Sequence, residues 1–443
     1  MPRDTLTVTD DRTGRTYTLP IVDGAIRAAD LAQIQLEPHG PGLVSYDPGL
    51  RNTALCRSKI GCIDAGPDRL TYRGYDIEEL AARSTYLETA YLIVKGELPV
   101  ASHFATWTRN IKMHTMLHEN VKRLMEGFRY DARPMSILTG TVAALSAFYP
   151  DAHDVLDLES RRVQTRRLIG KMPTIAAFAY RRSRGLPYVY PDNELSYTGN
   201  FLSMLFKMTE LEYRPNPVIE RALDVLFILY AEHAQNCSTT AARITGSTHA
   251  DPYSVIATAL AAMSGPGHGG ANERVLLMLQ RIGTVDRVRD FVAELKANPP
   301  ARVPGLGHSA YLQRDPRAPI IRTLAEEVYA EVGPPALLPV ARELEKIVLH
   351  DHWFASRRLF PNADFYSALV YDAMGFPVEM FPVLFAIPRT ASWMAQWAEM
   401  VVDPEQDVAR PRQIYTGSAP RPYVPLEQRQ QLGALETAIH GRL

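Results

Sequence analysis

Ile219, Ala222, Leu223, Leu226, Tyr230 and His233 follow the i, i+3, i+4, i+7 spacing that lines side chains along one face of an α-helix. A stripe of this kind is stable in water only when another element covers it. Similar patterns recur through the chain. Ile77, Leu80, Ala81, Leu87, Ala90, Tyr91 and Val94 keep helical spacing until Gly96 and Pro99 end the run, and further helical patterns cover 272–280, 285–297 and 339–349. Ile256–Met263 is alanine-rich and reads as helix. The expected fold class is therefore mainly α, and 443 residues are ample for a large core in two domains. The N-terminus differs: Thr5–Thr9 and Arg15–Pro20 alternate polar with apolar around Asp10–Gly14, which predicts a β-hairpin.

Chemistry-bearing residues fall at the ends of these runs. His233 closes its apolar stripe before the polar Gln235–Thr239, and reads equally as a core histidine or as one wall of a pocket. Gly265-Pro266-Gly267-His268-Gly269-Gly270 sets an imidazole in a bed of glycines, which lack side-chain bulk and tolerate positive φ, so that a ligand can approach closely. The spacing and the helical run before it argue against a dinucleotide fingerprint. A second loop, Pro304-Gly305-Leu306-Gly307-His308, precedes Arg314-Asp315-Pro316-Arg317. A third, Pro361-Asn362-Ala363-Asp364, leads into an aromatic run from Phe365, where Asp364 is either a helix N-cap or a functional carboxylate. Arg389, in Phe385–Thr390, and Arg410, in Arg410-Pro411-Arg412-Gln413, complete the series.

Composition narrows the classes. A hydrophobic fraction of 46% and a net charge of −1 suit a globular protein with no strong field for nucleic acid or anionic membrane. Cys56, Cys62 and Cys237 contain no CxxC pair, which argues for a reducing compartment without disulfide scaffold or zinc. His350-Asp351-His352 has ligand-type residues but follows an amphipathic helix, where a polar exit to solvent is expected rather than a metal site. Cys237 has no basic neighbour in sequence and is expected to be a small buried residue. No apolar run reaches the length of a membrane span, and the N-terminus carries acidic residues and no apolar signal core. The expected location is cytoplasmic.

The ordered set from about Asp47 to Tyr415, with Tyr46-Asp47-Pro48-Gly49-Leu50 and Phe385–Trp393, resembles the citrate synthase family in its longer, Gram-negative bacterial form. The resemblance implies an N-terminal β-rich extension (1–50), a large helical domain (51–275 plus 381–443) and a small helical domain (276–380). It implies a transferase condensing acetyl-CoA with oxaloacetate to citrate, as in the tricarboxylic acid cycle, without a tightly bound cofactor or metal. Asp364 would be the base. His268 would hydrogen-bond the thioester oxygen, and His308 would polarise the acceptor ketone. His233, Arg317, Arg389 and Arg410 would bind the acceptor, with Arg410 reaching into the neighbouring subunit of a homodimer, itself free to form a hexamer. His114, Tyr149, Arg167 and Lys171 resemble NADH effector positions, from which Met113 and Glu210 depart. Tyr230, three residues before His233, stands where close bacterial relatives usually carry a second histidine. His249 replaces a usual glycine, and Ser309-Ala310-Tyr311-Leu312 lacks a basic residue that many relatives carry. These departures leave 2-methylcitrate synthesis from propionyl-CoA, or use of phosphonopyruvate, as alternatives for the same machinery. A non-catalytic nucleotide-binding paralogue is the reading from another class.

Overall fold

A computed structural model describes residues 4–64, 66–300 and 302–429. Contacts divide the chain into two units, one formed by the segments up to Arg51 and from Arg410 onward, the other by Asn52–Ala409. In the first, strands β1 (Thr5–Asp10) and β2 (Arg15–Pro20) pair antiparallel from Thr5 opposite Pro20 to Asp10 opposite Arg15, so the expected hairpin is present. Gly14, at φ +70°, turns the chain between them.

The second unit is helical apart from a small antiparallel sheet, β3 (Gly61–Asp64), β4 (Arg69–Tyr72) and β5 (Tyr75–Asp76). The run read as one helix from Ile77 is two, Ile77–Arg83 and Tyr86–Lys95. The Thr85 side chain accepts from Glu88 N–H and starts the second, and Gly96 at φ +96° ends it. Ser84 and Thr85 are good cappers and poor helix formers, and two hydroxyl residues in succession outweigh the apolar periodicity around them. The pattern at 285–297 likewise opens as a short 3-10 turn before helix Val288–Ala297.

Helix Phe381–Val401 is buried along most of its length, its polar Arg389, Thr390, Ser392 and Gln396 included, as expected of a central helix. Helices Tyr86–Lys95, Leu158–Ser183, Pro217–Tyr230, Cys237–Gly246 and Pro252–Met263 pack around it. A second group, Ala271–Ile282, Arg317–Val332, Leu338–His350 and Ala363–Ala373, packs largely within itself. Among the described residues no helix is long and apolar enough to cross a membrane.

One side chain secures the helix end that carries much of the site. Tyr72, fully buried at the end of β4, sets its hydroxyl 3.1, 3.2 and 3.0 Å from the carbonyls of Ile228, Leu229 and Glu232. Ile228 and Leu229 lie in the last turn of the Pro217–Tyr230 helix, where carbonyls run out of helical donors although Ile228 O also accepts the Ala231 N–H, and Glu232 lies two residues beyond it. Tyr72→Phe should therefore destabilise the protein by about 1–3 kcal/mol, the cost of leaving buried acceptors unpaired. Urea denaturation of the variant against the parent measures the difference.

Candidate active site

The His268 loop uses its glycines differently from expectation. Gly265, Gly267, Gly269 and Gly270 all have negative φ, and space selects glycine at Gly269 and, less tightly, at Gly270, whereas Gly265 and Gly267 have room for a side chain. A Cβ at Gly269 would lie 2.4 Å from the Met263 carbonyl, which accepts the Gly269 N–H at 3.0 Å. The turn folds back on the preceding helix and presents the half-buried His268. Its Nε2 lies 2.8 Å from Ser238 Oγ. Ser238 Oγ also donates to Asn236 Oδ1 at 2.7 Å and accepts from Trp393 Nε1 at 3.2 Å. His268 Nδ1 becomes a donor to a ligand only when Ser238 turns its single proton from Asn236 Oδ1 to Nε2; with that proton on Asn236, Nε2 donates to Ser238 instead. Burial, helped by the Arg389 charge, pushes the His268 pKa down to about 4, so the ring is neutral at pH 7.

Positive φ is instead used in the His308 loop, where Gly305 and Gly307 both stand at +73°. This loop is pinned to the segment before Asp364. Gly307 N–H donates to Phe360 O at 2.7 Å, Asn362 N–H to Gly305 O at 2.9 Å, and the Asn362 side chain to Gly307 O at 2.8 Å. Ala310 N–H donates to His308 Nδ1 at 3.1 Å. A neutral His308 therefore carries its proton on Nε2 as a donor. Burial and the Arg317 charge hold its pKa down at about 4. His233 is buried, its Nε2 2.8 Å from the Tyr311 hydroxyl and its ring 5.0 Å from that of His308. Burial first, then Arg317, drives its pKa well below the usual value.

The cap of helix Ala363–Ala373 is Asn362, whose side chain accepts from Asp364 and Phe365 N–H. The reading of Asp364 as N-cap is thereby corrected: asparagine two positions earlier does that work, and the Asp364 carboxylate is left for other partners. Its Oδ1 lies 3.3 Å from the Tyr230 hydroxyl. Burial pushes its pKa up to about 6 against the opposing Arg317 charge.

The arginines differ sharply. Arg389 is 1% exposed, with Nε donating to Tyr230 O at 2.7 Å and both terminal nitrogens buried without a protein partner. Arg317, also buried, has Nε and one terminal nitrogen taken by Asp315 at 2.9 and 2.8 Å. Asp315 in turn accepts Ala363 N–H at 3.1 Å, tying Arg317 to the Asp364 helix. Arg410 opens the C-terminal segment of the other unit and is exposed there.

His114, Tyr149, Arg167 and Lys171 form a separate cluster. Lys171 donates to the carbonyls of His114, at 3.0 Å, and Met116. Arg167 lies 4.4 Å from the Tyr149 ring centre and pairs with Asp151 at 2.8 Å. Cys237, expected to be buried, is exposed because it opens its helix while the next two residues take the inward positions. Asp351 caps helix His352–Ser356 and pairs with Lys296. Three contributors gave little sequence signal. Ser238 sits in a polar stretch already read as a pocket wall, Asp315 lies two residues before an arginine already singled out, and Tyr311 registered only as a departure.

A buried cation with two open nitrogens, neutral imidazoles and a carboxylate of raised pKa share one electrostatic environment, the arrangement of an enzyme that does acid–base chemistry on an anionic substrate. The family model for the citrate synthase C-terminal domain matches residues 49–412. "Citrate synthase, peroxisomal" from Dictyostelium discoideum is 49% identical over 434 residues, covering 96% of this chain and 88% of that protein. "Citrate synthase, glyoxysomal" from Cucurbita maxima is 47% identical over 435 residues, covering 96% and 84%. The citrate synthase structure from Pyrobaculum aerophilum aligns with a TM-score of 0.80 at 35% identity over 89% of this chain and 97% of that one. That of Thermoplasma acidophilum, a ternary complex with carboxymethyl coenzyme A and oxaloacetate, aligns with 0.81 at 29% identity over 87% and 100%. The chain belongs to the citrate synthase family. It is an acyltransferase with acetyl-CoA as co-substrate.

The cytoplasmic location expected above is corrected by these relatives, two of which are named for peroxisomes and glyoxysomes. An enzyme folding in a reducing aqueous compartment has the same composition in either place, so composition had no power to separate them. With Asp364 as proton acceptor, kcat/KM for the acyl-CoA should fall as pH drops through about 6, because protonation removes the base. Neither His268 nor His308, held near 4, should add a limb near the usual histidine value. A pH–rate profile checks both points.

Proposed function

We propose that this chain forms citrate from acetyl-CoA and oxaloacetate at the site around Arg389. The observation that carries the reading is the buried Arg389 guanidinium with two unpartnered nitrogens, a fork shaped for a carboxylate. Asp364 takes a proton from the acetyl methyl group while His268 donates a hydrogen bond to the thioester oxygen. The new carbon nucleophile adds to the ketone of oxaloacetate, whose oxygen accepts a hydrogen bond from His308 Nε2 as negative charge develops on it, and the proton removed by Asp364 balances the resulting alkoxide. Water then cleaves the thioester, releasing citrate and CoA. His233 and Arg317 complete the acceptor pocket, and a large domain with a small domain at 276–380 closes over it to exclude bulk water. Residues 430–443 of that large domain lie outside the described residues. The same machinery would serve 2-methylcitrate synthesis or phosphonopyruvate as acceptor.

A monoanion leaves part of the cationic pocket without its counter-charge, and an unpaired buried cation costs several kcal/mol. Oxaloacetate should therefore exceed pyruvate in kcat/KM by more than about 100-fold. Comparable values in a steady-state assay would overturn the placement of Arg317, Arg389 and Arg410 around the acceptor.

Arg410 completes the pocket of a partner subunit in the proposed homodimer, and a hexamer of such dimers is compatible with it. Mixing inactive Arg410→Leu with inactive Asp364→Asn should restore partial activity, since one site in each hybrid then holds both groups. No recovery despite demonstrated subunit exchange counts against the shared site.

The narrower likeness to the Gram-negative type draws no support from eukaryotic relatives. NADH at His114, Tyr149, Arg167 and Lys171 would have to compete with Asp151 for Arg167 and with two carbonyls for Lys171. Allosteric inhibition is read by assay with and without NADH.

A further inference from the structure

We infer that Tyr230 is the positioning residue of the general base, orienting Asp364 and stabilising its ionised form through the phenol hydroxyl. The inference rests on the reading of Asp364 as the base. Tyr230 is fully buried, the third residue before His233 on the last turn of helix Pro217–Tyr230. Its hydroxyl lies 3.3 Å from Asp364 Oδ1 and 2.8 Å from Ser367 Oγ. Asp364 and Ser367 are three residues apart on one helix and so share a face, and the phenol reaches across to both.

The hydrogen count gives this contact a direction. An ionised carboxylate only accepts, so the phenol proton goes to Asp364 and the serine hydroxyl donates to the phenol oxygen. The chain of donors runs from Ser367 through Tyr230 to Asp364. One carboxylate oxygen is thereby engaged, and Oδ2 is left for the substrate C–H. At 3.3 Å the last link is long for O–H···O, as catalytic hydrogen bonds often are before substrate binds. The phenol is itself held from three sides. Phe385 packs on its ring at 4.3 Å between centroids, the Arg317 guanidinium lies 5.5 Å from the ring centre, and Arg389 Nε holds the Tyr230 carbonyl. One residue therefore joins the base to the acceptor-binding cation through atoms of different kinds, hydroxyl on one side and backbone carbonyl on the other. Removing the hydroxyl should disturb the base and spare the cation.

Tyr230→Phe keeps the ring and the carbonyl and deletes the donor. A hydrogen bond to the charged form lowers a carboxyl pKa, so its loss should move the acid limb of kcat/KM upward by about one pH unit. We expect kcat to fall about tenfold, the isotope effect with trideuterated acetyl-CoA to rise as proton removal becomes slower, and KM for oxaloacetate to change less than about twofold. Ser367→Ala, which removes the donor behind the phenol and leaves Tyr230 in place, should move the limb the same way by a smaller amount and serves if Tyr230→Phe does not fold. A folded Tyr230→Phe enzyme, or failing that a folded Ser367→Ala enzyme, with unmoved acid limb and unmoved isotope effect overturns the role of Tyr230. Near-normal turnover in Asp364→Asn would overturn the base assignment instead, so the two failures are distinguishable.

Discussion

The hydrogen bond from Arg389 Nε to the Tyr230 carbonyl, 2.7 Å long and buried, joins the central helix to the helix that ends in the site. The Pro217–Tyr230 helix leaves carbonyls open at its C-terminus, and a buried acceptor must be paired. Arg389 and the Tyr72 hydroxyl supply that pairing from opposite ends of the sequence. In doing so Arg389 spends one nitrogen on structure and keeps two for a ligand. The helix end is thereby fixed where Tyr230, Glu232 and His233 leave it.

Burial sets the proton chemistry around this joint. Water is removed from histidines and aspartate alike, and the same cause has opposite consequences for the two types. Imidazoles become neutral donors, with His268 and His308 near 4, while Asp364 rises to about 6. The Arg317–Asp315 pair places a cation beside His308 without leaving its whole fork open. The positive charge free for an acceptor is accordingly smaller than a count of arginines and histidines suggests. Glu232 adds a further buried carboxyl, bonded to Ser392 and in the field of Arg389.

Much of the proposed site could be singled out in the sequence because it lies in loops with unusual local sequence. His268 among glycines, His308 after Gly305 and Gly307, and Asp364 after Pro361-Asn362 each interrupt a helical pattern in a way that packing does not require. The reason for the glycines was not legible: around His268 only Gly269 and Gly270 serve a close backbone approach, whereas positive φ occurs at Gly305 and Gly307. Nor was the role of Asp364 separable from capping until Asn362 was seen to hold the cap.

Local periodicity in the sequence determined the helices, the hairpin from Thr5 to Pro20, and which residue types stand at the helix ends, because each depends on neighbours within a turn or two. Tertiary structure decided which of those ends meet. Tyr230 and Asp364 are separated by 134 residues, and Tyr230 and Arg389 by 159. No spacing rule reaches that far, because contacts at such separation are selected by the packing of whole helices and the pairing of buried polar atoms. The open fork of Arg389, the proton position on His308, and the contact of Tyr230 with Asp364 all arise from that packing.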